Sequence, residues 1–266
     1  MTDLLVVPDA AAAGAHVAGI VATLLRASTA VVGGPAGRTP GTTYAALGRI
    51  AWRDGLDLSR LHVVMMDDYV GPDGRACSPT AAHSCRRYAE RELRDVVNAD
   101  LPPGRRLPSG NVHLPDPADP ARHDDHIAAL GGIDLFVLAA GTTDGHVAFN
   151  PPGSAATSRT RIVELAESTR RDNLRTFPTF GGVDDVPRHG VTVGLGTIAD
   201  LSRRVVLLLL GDEKRSAFER TVATTAFDPS WPASIIRRCR RASIVADRAA
   251  APNHPTATTG GARPWS

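Results

Sequence analysis

Short runs of consecutive apolar residues recur along this chain, separated by segments of helical character. Leu4–Val7, Ala30–Val32, His62–Met66, Ile133–Leu138, Val205–Leu210 and Ala242–Val245 are the clearest. They are too short for core helices and too continuously apolar for strands with one wet face. Strands of that kind belong to a parallel sheet covered on both faces. The intervening segments supply the cover. Helices are predicted over residues 10–26, from about Pro40 to before Gly55, after Ser78 through Tyr88–Val97, over Ala121–Leu130 and over Lys214–Val222. Gly190–Val193 is a further predicted strand, and Asn111–Leu114 a short extended segment. The fold class is therefore α/β, with a mostly parallel sheet and helices on both faces.

At 266 residues the chain is long enough for one large domain or two small ones. No internal repeat is visible, and the proline-bearing stretch Asp100–Pro108 reads as a loop. One domain is expected over residues 1–250. Residues 251–266 follow as a tail expected to be disordered, since Pro252–Ser266 is rich in Thr, Gly and Pro. An apolar share of 42% and a charged share of 22% exclude a mainly disordered chain. No run of 18 apolar residues occurs, so no bilayer-spanning helix is expected. Met1-Thr2-Asp3 lacks the basic-then-apolar pattern of a signal peptide. Cys77, Cys85 and Cys239 form neither a disulfide framework nor a CxxC pair, which fits a reducing cytoplasm. The net charge of +2 gives no electrostatic case for a nucleic acid or an anionic membrane as partner.

In open parallel sheets ligands bind beyond the carboxyl ends of the strands, so the residues after each strand matter most. A glycine-rich turn, Gly33 to Gly37, follows Val32 and leads through Arg38 and Thr39 into a helix. Backbone N–H groups there suit a phosphate, although an ordinary strand–helix turn has the same composition. Asp67 and Asp68 follow Met66, as a functional carboxylate with its neighbour or as loop and cap residues. Gly141-Thr-Thr-Asp-Gly-His146 places a carboxylate two residues before a histidine, a spacing that suits an acid–base pair. His62, His113 and His189 read as structural or surface residues. His123 and His126 lie on a polar helix face with little case for metal. Lys214 is the single lysine among 30 basic residues. Its place after the longest apolar strand suits phosphate binding, a Schiff base or a solvated first turn.

Taken in order, GGPAGRTPGTTYAAL (33–47), MMDDYVG (65–71), GGIDLFVLAAGTTDGHVAFNPPGS (131–154), SRTR (158–161), VPRHGVTVGLGT (186–197) and GDEK (211–214) resemble one family. It is the glucosamine-6-phosphate deaminase and isomerase family, related to 6-phosphogluconolactonase, and the resemblance spans roughly residues 4 to 248. DGHVAFN followed by SRTR is closer to the deaminase branch. The resemblance implies a Rossmann-like α/β fold. It implies ring opening of a hexosamine 6-phosphate, proton transfer between C2 and C1, and release of ammonia, with no metal or organic cofactor. Asp67 matches the carboxylate that moves the proton, and Asp68 its acidic neighbour. Asp144 and His146 match the ring-opening pair. Gly34, Pro35, Ala36, Gly37, Arg38, Thr39, Arg175 and Lys214 match phosphate-binding positions. The implied partner is a small sugar phosphate, and a homo-oligomer is compatible with the family.

The sequence departs from the family pattern where a glutamate is expected after Asn150 and Pro151 stands instead. Proline cannot titrate, so it cannot serve ring opening. Arg38 replaces a small residue of the phosphate turn, and Val163 replaces a lysine of allosteric members. Allosteric roles for Ser154 and Arg161 are therefore not carried over. Three readings follow: an aminosugar-phosphate deaminase or aldose–ketose isomerase, a phosphosugar lactonase using His146 as base, and a non-catalytic sugar-phosphate sensor. The flanks Ala148–Asn150 and Ser158–Arg161 argue against the lactonase, and retention of Asp67, Asp144 and His146 argues against the sensor, which favours the first.

Overall fold

The computed structural model describes residues 2–256. Seven strands form an all-parallel sheet in the order β1-β10-β9-β6-β2-β3-β5. They are β1 (Asp3–Val7), β2 (Ala30–Gly34), β3 (Leu61–Met65), β5 (Val112–His113), β6 (Leu135–Ala139), β9 (Val205–Leu209) and β10 (Ala242–Asp247). Because alternate side chains of a strand point to opposite faces, each apolar run feeds two cores. Leu135 and Val137 of β6 pack into one, while Phe136 and Leu138 pack into the other. The first core is closed by α1 (Ala10–Ala27) and α2 (Gly41–Asp54). The second is closed by α5 (Ala121–Ala129), α7 (Leu195–Leu201) and α8 (Arg215–Ala223). Each fully buried Leu, Ile, Val or Phe contributes roughly 1.5–3 kcal/mol, which is why the runs carry so little polar content.

Helix α1 begins where Asp9 accepts the Ala12 N–H at 2.8 Å, an N-cap that satisfies an otherwise orphaned donor. With 18 residues and a mean hydropathy of 1.4, α1 is long and apolar enough to cross a bilayer. The sequence reading sees no such segment because Gly14, His16 and Gly19 interrupt the apolar run. In the fold its apolar face is spent on the protein, with Ala13, Val17, Ala18, Val21 and Leu25 buried in the first core.

A second sheet is antiparallel, in the order β4-β8-β7, from β4 (Asp67–Val70), β7 (Arg161–Glu164) and β8 (His189–Thr192). The segment 190–193, expected to join the parallel sheet, lies mainly here. Asp67 and Asp68, read as strand-end residues, are themselves strand residues. One residue, Met66, separates β3 from β4, and its carbonyl accepts the Val193 N–H at 2.8 Å. Helix α6 (Glu167–Thr176) was not expected either. Its sequence ESTRRDNLRT has no apolar period, and its buried residues are Thr169 and Arg170. The helix expected after Ser78 is composite, with α3 (Cys85–Tyr88), a π-helical turn (Ala89–Arg94) and α4 (Asp95–Asn98). Of the tail, residues 251–256 are described. Ala251 is buried and Arg248 bonds Thr256 Oγ1 at 2.9 Å. Residues 257–266 lie outside the described residues.

Toward the β5 edge of the sheet, three imidazoles form a chain. His62 Nδ1 lies 3.1 Å from His113 Nε2, and His113 Nδ1 lies 3.0 Å from His126 Nε2. His123, read on a polar face, is buried and meets the Met65 carbonyl at 3.3 Å. Among the described residues, no group of three or more His, Cys, Asp or Glu side chains is arranged to hold a metal ion. Burial, reinforced by its histidine neighbours, pushes His113 down to about 4. Burial lowers His62 as well. These rings stay neutral in the folded state but take up protons in the unfolded chain below about pH 6.5. The contribution of His113 to stability is therefore present above that pH and is lost as pH falls toward 4, and that of His62 is lost in the same direction. Urea unfolding of His113→Gln should show a shallower loss of stability over this interval than the parent protein.

Candidate active site

The strand order reverses between β2 and β6, since the chain goes outward from β2 to β3 and from β6 to β9. In such sheets the crevice beyond the strand ends opens at that reversal. A cavity of about 380 Å³ lies there. Its wall comes from residues that follow β2 (Pro35–Thr39), β3 (Met66, Asp67), β6 (Ala140–Thr142, His146) and β9 (Leu210, Gly211, Lys214). Helix α6 adds Asp172, Asn173, Arg175 and Thr176.

Three cations meet in this wall. Lys214 Nζ donates to the Ala140 carbonyl at 2.7 Å and to Thr142 Oγ1 at 2.9 Å. Burial lowers its pKa, against the charges of Asp172 and Glu213. Arg38 pairs with Glu213 at 2.9 Å and Arg175 with Asp172 at 2.9 Å. Both arginines are more than half exposed, so these pairs can exchange for a ligand at little cost. The turn beside them is braced from behind. Tyr44 donates to the Pro35 carbonyl at 3.1 Å and Tyr88 to the Gly37 carbonyl at 2.7 Å. Gly37 has φ +103°, a conformation that favours glycine. Gly34 closes β2 behind the turn and is not part of the cavity wall. The cluster suits a multiply charged oxyanion.

Asp67 and Asp68 part company because adjacent strand residues face opposite ways. Asp67 lines the cavity, 6% exposed. Burial pushes its pKa up to about 7, opposed by a hydrogen bond from the Cys85 thiol and aided by the charge of Asp68. Asp68 does not line the cavity. Its Oδ1 accepts the N–H groups of Tyr69 at 2.9 Å and Cys85 at 3.0 Å, and the Cys77 thiol at 3.4 Å. Burial raises it too, while those donors hold it down. Asp68 thus ties the segment before α3 to β4, and Asp67 is left to face a ligand.

His146 lines the cavity, and Asp144 stands behind it. Asp144 Oδ1 is 2.7 Å from His146 Nδ1, and Asp144 Oδ2 accepts the Ser168 hydroxyl. Thr169 Oγ1 is also 3.1 Å from His146 Nδ1. Burial pushes Asp144 up, but the hydrogen bond and charge of His146, with Ser168, outweigh it and hold the carboxyl well below the usual range. An ionised Asp144 fixes the imidazole, leaving Nε2 for chemistry. Gly141 makes the pair possible. A Cβ there would lie 2.2 Å from His146 Nδ1 and 2.3 Å from Asp144 Oδ1. Ala148, on the cavity wall, holds φ +51°, a conformation costly for a residue with a Cβ.

Pro151 is not in the cavity wall, and its carbonyl accepts the Ser154 N–H at 3.1 Å. Arg161 clamps the same loop, donating to Asn150 Oδ1 at 2.9 Å and to Ser154 Oγ at 3.2 Å. Besides Asp67, the wall carboxylates are Asp172, Glu213 and Asp247. The first two pair with arginines, and Asp247 accepts the Gly211 N–H. Residues that sequence reasoning missed are Thr142, Cys85, Ser168, Thr169 and Asp172. Thr142 lies inside a motif already singled out. The others carry no local signal, since α3 is short and α6 is polar throughout.

A parallel α/β sheet with a histidine–aspartate pair, a buried carboxylate and a cation cluster around a cavity at its strand reversal defines the class of Rossmann-like proteins with a strand-end site suited to anions. The chain belongs to the family of glucosamine-6-phosphate isomerases and 6-phosphogluconolactonases, whose model matches residues 9–245. It is 38% identical over 256 residues to a glucosamine-6-phosphate deaminase of Arthrobacter sp. (strain FB24), covering 94% of this chain and 91% of that one. It is 39% identical over 236 residues to one of Rhodococcus jostii, covering 88% and 86%. A solved monomeric glucosamine-6-phosphate deaminase superposes with a TM-score of 0.83 at 26% identity, covering 95% of this chain and 100% of that one. A 6-phosphogluconolactonase from Trypanosoma cruzi reaches 0.66 at 20% identity, covering 95% and 97%, a likeness of fold.

Carboxyl carbon NMR of aspartate-labelled protein should show one residue titrating near pH 7, absent from Asp67→Asn.

Proposed function

We propose that this protein is an aminosugar-phosphate deaminase or aldose–ketose isomerase acting on a glucosamine 6-phosphate-like substrate. The observation that carries the reading is the sharing of one cavity by a buried carboxylate, a histidine–aspartate pair and three cations. The family and the deaminases aligned over nearly the whole chain support it. The balanced charge favours a small sugar phosphate over nucleic acid or membrane as partner, and a cytoplasmic setting accords with the unpaired cysteines. Assembly into a homo-oligomer is compatible with this reading. The working unit is residues 1–250.

In this reading the phosphate exchanges places with Glu213 and Asp172 on Arg38 and Arg175, and Lys214 and the Pro35–Thr39 turn complete its cradle. Anchoring at the phosphate lets binding energy orient the reacting carbons. His146, aligned by Asp144, moves the ring-opening proton. With Pro151 where the family carries glutamate, this pair performs the step alone. Asp67 then takes the proton from C2 of the open chain and returns it to C1. For an aminosugar, C2 is left as an imine, which water hydrolyses with loss of ammonia. Retention of the nitrogen would make the protein an isomerase. Asp67 must be ionised to accept the proton, so activity should rise with pH through about 7.

Proton NMR with glucosamine 6-phosphate in D₂O, with ammonia assayed in the same tube, tests this. Ammonia with fructose 6-phosphate marks a deaminase, and deuterium at the exchanging carbon without ammonia marks an isomerase. Neither signal, from folded protein, removes this substrate. Asp67→Asn should abolish exchange, and exchange at the parental rate would exclude Asp67 as proton carrier. Lys214→Ala should raise KM for the phosphorylated substrate about tenfold or more, with little effect on a dephosphorylated analogue. Equal effects on both would remove the phosphate assignment.

A further inference from the structure

Cys85 opens α3, and its two polar groups reach two different carboxylates. The thiol donates to Asp67 Oδ1 at 3.4 Å, and the backbone N–H donates to Asp68 Oδ1 at 3.0 Å. The side chain is 2% exposed yet forms part of the cavity wall beside Asp67 and Tyr69. Among the described residues, this thiol is the sole hydrogen-bond donor to the Asp67 carboxylate. The turn that carries it is fixed at both ends. Ser84 caps it by accepting the Arg87 N–H at 3.3 Å, and Tyr88 holds the Gly37 carbonyl at 2.7 Å. One short helix therefore spans from the oxyanion turn to the buried carboxylate.

We propose that Cys85 is a positioning residue for Asp67: its thiol holds Oδ1 and so directs Oδ2 to the substrate carbons. The inference rests on the proton-carrier role of Asp67 given above. A thiol is a weak donor. A donor to the charged form lowers a carboxylate's pKa, and a strong one would cost the base its affinity for a carbon-bound proton. A weak donor fixes orientation while leaving most of the basicity that burial creates. Asp68 and Tyr69 on β4 and Cys77 in the loop between β4 and α3 complete the ionisable surroundings, and His146 shares the cavity.

The test is the pH profile of kcat and KM in Cys85→Ala and Cys85→Ser, with carboxyl carbon NMR titration of the same proteins. Cys85→Ala should move the acid limb of kcat/KM up by ~0.5 pH unit or more, with the Asp67 carboxyl midpoint moving alongside. At about pH 6 kcat should fall several-fold, while KM changes little. Cys85→Ser restores a donor, a stronger one, and should move limb and midpoint below those of the parent. A purely packing role would leave both midpoints in place, or shift both variants the same way, and either result overturns the proposal. The serine variant is nearly isosteric, so its downward shift decides the matter even where the alanine variant does not fold. Should Asp67→Asn stay active while the carboxyl midpoints still move with Cys85, the proton-carrier assignment falls and the contact stands.

Discussion

The site depends on one removal from water. The chain passes from β3 into β4 across a single residue, and Asp67 is the first residue after that joint. Leaving a parallel strand buried on both faces, it cannot reach solvent as an ordinary loop carboxylate would. Its charged form is penalised, and a group that is a weak base in water becomes one matched to neutral pH. The joint is held by the Val193 N–H on the Met66 carbonyl, so the small antiparallel sheet fixes the carboxylate's depth.

Around that carboxylate the wall is preorganised in ways that need no ligand. Arg38 and Arg175 are held by Glu213 and Asp172, so a cluster of like charges is neutralised within the protein itself. The Asp144–His146 pair is set by Ser168 and Thr169 from α6 and by the bare backbone of Gly141. Helix α6 therefore meets both parts of the wall, touching the Asp144–His146 pair at its start and carrying Arg175 at its end.

Much of this was legible in the order of residues. Leu135–Ala139 and Val205–Leu209 announce themselves as parallel strands because both faces must be apolar. The residues after them line the cavity because that is where such sheets open. The antiparallel sheet was not legible. Arg161–Glu164 alternates half-buried and exposed residues over only four positions, too short to separate from a loop. Asp67 and Asp68 open a strand with charges, against its propensity, and the donors that hold Asp68 and the cavity that takes Asp67 lie elsewhere in the chain. Nothing local links the histidines; the pairing of β3 with β5 brings His62 to His113, and the packing of α5 adds His126.

The sequence by itself determined the α/β class, the family, and the residue types that surround the cavity, because burial on both faces and strand-end chemistry leave local, one-dimensional traces. Tertiary structure alone decided which of two adjacent aspartates faces the cavity. It also decided that Pro151 lies outside the cavity wall and that Cys85 touches Asp67 across 18 residues of chain. Those outcomes depend on where segments distant in sequence come to rest, and on how much water their meeting excludes, which no local pattern records.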